Sequence, residues 1–142
     1  MSKKISLIAS LIMTAALFIL IIAACFALPY VVKTLGTDRD YTFFYVSLYI
    51  SVIPGLICDG MLFLLLHNIS RNLIFTSCNV KLLRIISWCC IFVGLEYFIF
   101  GNKFVSLLLC SFAALFFGLI LRVIKNVFEK AVELREENDF TI

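Results

Sequence analysis

The 142-residue sequence has few of the polar stretches that coat and separate soluble domains. Charged residues make up 15% of it and hydrophobic residues 63%, whereas soluble domains are roughly 45–50% apolar. A water-soluble core of this size cannot enclose so much apolar surface. The composition therefore excludes an ordinary soluble domain and indicates a single membrane domain over residues 1–142.

The residues and motifs that carry most protein chemistry are also scarce. The sequence has one histidine and nine acidic residues, and it has no GxSxG, HExxH or Walker-type glycine loop. Its six cysteines form no CxxC pair, and five of them lie within apolar runs, where cysteine serves as a small packing residue. We therefore expect no enzyme activity, no cofactor, no metal site and no recognisable small-molecule substrate. Direct nucleic-acid binding is not expected either, because the C-terminal tail is acidic.

Four long apolar runs occupy most of the chain: Ile5–Leu28, Tyr41–Leu66, Ile85–Phe100 and Phe104–Leu121. About 20 apolar residues in a helix cross a bilayer core of ~30 Å. The runs show no two-residue alternation, which argues against a membrane barrel. The sequence thus predicts an all-α membrane protein with four transmembrane helices, at about residues 6–28, 42–67, 81–100 and 104–122.

The basic residues predict the orientation of these helices, because Lys and Arg accumulate on the cytoplasmic side. An arrangement with both termini in the cytoplasm (N-in/C-in) puts most basic residues inside and leaves three outside, which are Lys33, Arg39 and Lys103. We therefore expect a multi-pass protein of the cell (plasma) membrane with both termini in the cytoplasm. Its first partner is the lipid bilayer.

Prolines and capping residues predict where the helices bend or begin. Pro29 is expected to end the first helix or to lie just past its end, and an external loop is expected over Tyr30–Asp40. Pro54, near the middle of the second run, is expected to kink that helix. Thr76 or Ser77 can cap the third helix, since a hydroxyl there accepts a bond from a backbone N–H two or three residues later.

The fourth helix shows no stop signal at Leu121. Apolar residues continue to recur at the spacing of one helical face, with charged residues on the opposite face. The sequence therefore predicts that the last helix extends beyond the membrane as an amphipathic cytoplasmic helix to about residue 137. This extension, from residue 122 on, is called the stalk below.

Two segments resemble a known bacterial family. Phe75–Ser87 has an aromatic residue, a Thr, then Asn79-Val80 and a Leu83-Arg84 step, and the chain ends in Glu137-Asn138-Asp139-Phe140-Thr141-Ile142. Both patterns are similar to those of the domain of unknown function 2975 family of small four-span membrane proteins. The chain departs from it at Ser77-Cys78, where the family tends to carry acidic residues. The resemblance implies four spans and no established activity. It also implies frequent coding beside a small helix-turn-helix regulator.

Two acids lie within the apolar runs, Asp59 and Glu96. A charge there costs at least ~2.5–3.5 kcal/mol on insertion scales, so it usually faces protein or water. One interpretation makes Asp59, beside the Pro54 kink, a proton or cation site. The other pairs Asp59 with Arg84 or a neighbouring Ser, and places Glu96 at the outer surface near Lys103. Pro54 itself either lines a substrate path, as in broken transporter helices, or only bends the helix.

The stalk and the preceding loop are the best candidates for protein contacts. The apolar stripe of the stalk must pack on its own loop, a second copy, another protein or the headgroup plane. We favour a non-enzymatic membrane regulator or sensor whose cytoplasmic loop and C-terminal helix contact a regulator protein or form a homodimer. A small transporter or channel component using Asp59 is the alternative. The candidate contact residues are Phe75, Asn79, Val80, Arg84, Phe128, Leu134, Asn138, Asp139 and Thr141.

Overall fold

The computed structural model of the protein describes residues 3–35 and 39–141. Within these ranges the chain is helical and contains no strand. All four helices are long and apolar enough to cross a membrane, which confirms the predicted all-α, four-span class. The helices are α1 (Lys3–Leu35), α2 (Arg39–Ser70), α3 (Ser77–Phe100) and α4 (Val105–Phe140), with a single 3-10 turn at Gly101–Lys103 before α4.

The expectation that α1 ends at Pro29 is wrong, because the helix continues through Pro29 to Leu35. A proline inside a helix removes one backbone hydrogen bond, here the one to the carbonyl of Cys25. The loss of that one bond does not prevent the next residues from continuing the helix, which keeps their backbone groups hydrogen-bonded. Most of the predicted external loop is helical in the structure, and its residues 36–38 lie outside the described residues. Helix α2 likewise continues through Pro54, whose side chain is buried.

Each helix packs chiefly against the next one in the chain, and the α3–α4 contact is the most extensive. Only 6% of the most apolar part of α1 is buried inside the protein, against 33% for α3. Helix α3 is therefore the centre of the fold. Most of the surface of α1 is left for lipid or for another protein chain.

Small residues bring α3 and α4 close together. Ser87 and Gly94 on α3 are seven residues apart, as are Ser111 and Gly118 on α4, so each pair lies on one helix face. The Ser111 hydroxyl donates a 2.7 Å hydrogen bond to the carbonyl of Gly94. Membrane helices associate through such close backbone approach and interhelical hydrogen bonds. The α3–α4 hairpin is thus the tightest unit of the protein.

Helix α4 is a single uninterrupted helix of 36 residues. At ~1.5 Å per residue it is about 54 Å long, which exceeds a bilayer core of ~30 Å by roughly 24 Å. The predicted continuation past Leu121 is confirmed, and the helix ends at Phe140 rather than at about residue 137. The stalk therefore projects from the same end of the molecule as the α2–α3 loop.

Candidate functional sites at the stalk and in the membrane

The loop between α2 and α3 is held by one buried amide. The Asn79 side chain is fully buried, and its Nδ2 donates to the carbonyls of Leu73 and Ile74, both at 2.7 Å. Its Oδ1 accepts a 2.8 Å bond from Nδ2 of Asn68 at the end of α2. Asn72 makes the reversal possible with a left-handed backbone (φ 61°), which Asn tolerates better than most residues. The loop path is therefore fixed rather than loose.

Thr76 begins α3 as its N-cap, as the sequence indicated for Thr76 or Ser77. Its extended backbone (φ −127°, ψ 149°) precedes the helix, and its hydroxyl accepts a bond from the backbone N–H of Asn79 at 3.4 Å. Asn79 therefore uses both its backbone and its side chain to set the start of α3.

The stalk packs on this loop, which is one of the arrangements considered for its apolar stripe. The Phe75 and Phe128 rings lie 5.3 Å apart between centroids. Arg135 reaches the carbonyl of Phe75 at 3.5 Å. Deeper along the same contact, Phe128 packs against a core of Leu65, Leu82 and Leu83. The loop, the start of α3 and the stalk thus form one assembly.

An ion-pair group joins α3 to the stalk. Glu129 accepts from Lys125 at 2.7 Å and from Arg84 at 3.3 Å. The hydrogen bond from Lys125, with Arg84 nearby, holds the pKa of the Glu129 carboxyl below its ordinary value. Farther along the stalk, Glu133 raises the pKa of Lys130 through a 2.9 Å bond. These groups are exposed, so each pair contributes little alone.

Arg122 marks where α4 leaves the apolar region. Its guanidinium lies 4.4 Å from the centroid of the Trp88 ring on α3. Such stacking satisfies a cation at a partly apolar boundary. This pair was not predicted from the sequence, although Trp88 is the only tryptophan and Arg122 is the first basic residue after the fourth apolar run.

The predicted partner-contact residues fall into two groups. Asn79 and Val80 are 0% and 6% exposed, so in this structure they hold the loop and α3 from inside instead of facing a partner. Phe128 is half-buried against the loop. The other predicted contact residues are exposed: Phe75, Arg84, Leu134, Asn138, Asp139 and Thr141.

A second apolar face of the stalk points away from the loop. Val123, Val127 and Leu134, spaced by four and seven residues, share this face and are 63%, 61% and 57% exposed. The outward stripe, as these three residues are called below, continues beyond the length needed to cross the bilayer core. None of the described elements covers it.

Asp59 lies in a cavity of about 380 Å³ between α1 and α2. Its side chain is 8% exposed. Arg84, which the sequence offered as its partner, instead pairs with Glu129. The cavity wall is otherwise apolar apart from Thr14, whose hydroxyl donates to the carbonyl of Leu11 at 2.9 Å. The lining residues are Thr14, Ala15, Phe18, Ile19, Asp59, Gly60 and Phe63.

Glu96 does not lean toward the surface near Lys103, as the sequence suggested. It is 6% exposed and faces α2, where Ser51 donates to its Oε2 at 2.9 Å. Ser51 also lies 2.8 Å from the carbonyl of Ser47, so these three residues meet at one place. The Glu96 Oε1 and the hydroxyl of Ser47 are buried without a hydrogen-bond partner. The sequence shows two serines one helical turn apart, Ser47 and Ser51. It does not show which face of α3 meets them.

The two intramembrane acids therefore lie at separate helix contacts, Asp59 between α1 and α2 and Glu96 between α2 and α3. Among residues 3–35 and 39–141, no three His, Cys, Asp or Glu side chains gather as a metal site would require.

Comparison with known protein families finds a match over almost the whole chain. A family sequence profile, described as protein of unknown function (DUF2975), matches residues 5–142. The chain belongs to the DUF2975 family. No curated protein matches it, and no solved structure matches it. The match covers all four helices and the stalk, so the family comprises the membrane part and its extension together.

Proposed function

We propose that this DUF2975 protein is a non-enzymatic membrane regulator or sensor whose α2–α3 loop and stalk contact a partner protein. The observation that carries the proposal is that one apolar face of the stalk is fixed to the loop while the outward stripe is left uncovered. An amphipathic helix outside lipid buries such a stripe against something.

The orientation that suits this function places both termini in the cytoplasm of the plasma membrane. The basic residues near the stalk and the α2–α3 loop support it: Arg71, Lys81, Arg84, Arg122 and Lys125 are all at that end. The partner is then a cytoplasmic protein rather than an extracellular one.

The charge of the stalk points to the chemistry of the partner. Glu133, Glu136, Glu137 and Asp139 lie beside or beyond the outward stripe. Anionic headgroups would repel this tip, so flat attachment to lipid is disfavoured. A basic amphipathic helix would cover the apolar stripe and meet the acids at its edge. A second copy of the stalk would meet like charges there.

The test is affinity capture of the full chain from detergent-solubilised membranes after crosslinking in cells. We expect Val127→Ser with Leu134→Ser, or removal of residues 128–142, to lose a protein that the unaltered chain recovers. Asn126→Ser is the matched control, since Asn126 is exposed on the stalk but off the stripe. If all these chains capture the same proteins, the proposed partner role fails.

A second candidate function is a small transporter or channel component that uses Asp59. The cavity at this acid, within the membrane-spanning part of α2, favours it. Asp59→Asn should then abolish a flux in proteoliposomes while leaving expression intact. An absence of flux across a range of cations, with the unaltered chain correctly reconstituted, would remove this candidate.

A further inference from the structure

The cavity between α1 and α2 combines a buried acid with an apolar wall. Asp59 is 8% exposed, and Asp59 and Thr14 are the polar side chains among the lining residues. The ion pairs among the described side chains are Arg84–Glu129, Lys125–Glu129 and Lys130–Glu133, and none of them includes Asp59. A carboxylate at such depth favours a positive charge beside it, because an isolated ion in an apolar medium is costly.

Two aromatic rings border the same cavity. Phe18 on α1 and Phe63 on α2 both line it. The face of an aromatic ring attracts cations, and rings combined with an acid are a common way to hold quaternary or delocalised positive charge. A compact metal ion is less suited, since one carboxylate supplies few of the six or more oxygens that hard divalent cations prefer.

The cavity is also reachable from the side. Phe18 and Phe63 are 43% and 44% exposed and Ile19 is 68% exposed, so the lining continues onto the surface that faces lipid. At Gly60, space remains around the position where a side chain would begin. A ligand that dissolves in the bilayer would therefore enter between α1 and α2 without passing through the protein.

From this arrangement we infer that the α1–α2 cavity binds lipophilic cations, molecules with a delocalised or quaternary positive charge and apolar substituents. Asp59 supplies the counter-charge, Phe18 and Phe63 contact the charged centre and its substituents, and the bilayer supplies the ligand. This inference goes beyond the partner role of the stalk. It concerns binding only, and so requires neither a partner nor a flux.

The test is equilibrium binding of radiolabelled tetraphenylphosphonium to the full chain in nanodiscs of zwitterionic lipid, with empty nanodiscs as background. We expect saturable binding to the unaltered chain, and binding about tenfold or more weaker for Asp59→Asn, which loses one charged contact. Asp59→Glu should retain most of the affinity. Neutral triphenylphosphine oxide, which has similar rings without the charge, should compete poorly.

Glu96→Gln is the matched control, because it removes the other intramembrane acid at a separate helix contact and should bind as the unaltered chain does. Gel-filtration profiles and melting temperatures show whether Asp59→Asn still folds. If it does not, strong competition by neutral triphenylphosphine oxide at the unaltered chain would overturn the inference in its place. Binding no greater than empty nanodiscs, equal binding by a folded Asp59→Asn chain, or loss of binding in both Asp59 variants with both folded would overturn the inference. Binding without flux would keep it and remove the transport candidate.

Discussion

The side-chain amide of Asn68, at the end of α2, donates to that of Asn79, in the first turn of α3, at 2.8 Å. This bond joins the two membrane helices at the point where the chain reverses. Because Asn79 also holds the carbonyls of Leu73 and Ile74, it sets the position of the Phe75 ring against the stalk. The contact between loop and stalk thus depends on an amide buried beneath it.

Replacing Asn79 with Ala should loosen the loop. The change removes three side-chain hydrogen bonds, from Asn68 and to the carbonyls of Leu73 and Ile74, in a part-buried site. We expect this loss to lower the free energy of unfolding by about 1–3 kcal/mol. Thermal unfolding in detergent and hydrogen exchange at the amides of residues 71–76 would measure this. Ser77→Ala, at an exposed neighbour, is the control. Unchanged exchange in Asn79→Ala would show that the amide does not hold the loop.

Gly94 should be one of the least replaceable positions in the membrane. A Cβ there would lie 2.6 Å from Cγ of Leu115 and 3.0 Å from its backbone nitrogen, so α4 must shift away. Gly94→Ala is expected to cost about 1–3 kcal/mol, the range for overpacked sites.

Gly55→Ala is the comparison for this substitution, since nothing lies within 4 Å of its Cβ position. This chain should unfold at the same temperature as the unaltered one or slightly higher, because Ala favours helix over Gly. Equal melting temperatures for the two variants would mean that α3 and α4 are not closely packed at Gly94.

Acid should release part of the attachment between α3 and the stalk. The pKa of Glu129 is below its ordinary value in the folded chain, so its contribution is complete above the ordinary carboxyl pKa of about 4.3. It is lost as the pH falls through the lower, folded-state pKa. We expect faster proteolysis of residues 135–141 at pH about 3 than at pH about 6, with a smaller difference in Glu129→Gln. The same pH response in both chains would exclude Glu129 as its source.

The proposed orientation predicts opposite results from two reporters fused after residue 142. A green fluorescent protein should be fluorescent and an alkaline phosphatase inactive, because only the former matures in the cytoplasm. The same reporters inserted after Asn102, in the turn before α4, should give the reverse result. An active phosphatase after residue 142 would contradict the positive-inside interpretation.

The sequence predicted the helices well because hydrophobic length and periodicity determine them directly. It failed at Pro29, where the helix loses one hydrogen bond but continues to Leu35. It also failed for Glu96, whose partner Ser51 is 45 residues away in sequence. Which face of α3 meets α2 is decided by packing, and helical spacing alone does not carry that information.

The stalk site was only partly predictable for a related reason. The apolar positions of the stalk were evident, yet they belong to two faces, one covered by Phe75 and one open at Leu134. To tell the two faces apart, one must know the path of the loop. Asn72 fixes that path with its left-handed backbone, and Asn79 fixes it with its buried amide. Neither residue shows this role in a hydrophobicity pattern.

The absence of any break in α4 between Val105 and Phe140 has a mechanical consequence. A rigid rod transmits a turn about its own axis along its full length, so a small rotation where Ser111 and Gly118 meet α3 would swing Leu134 around the circumference by the same angle. A change among the acyl chains would then be transmitted to Leu134, about 15 Å beyond the end of the bilayer core.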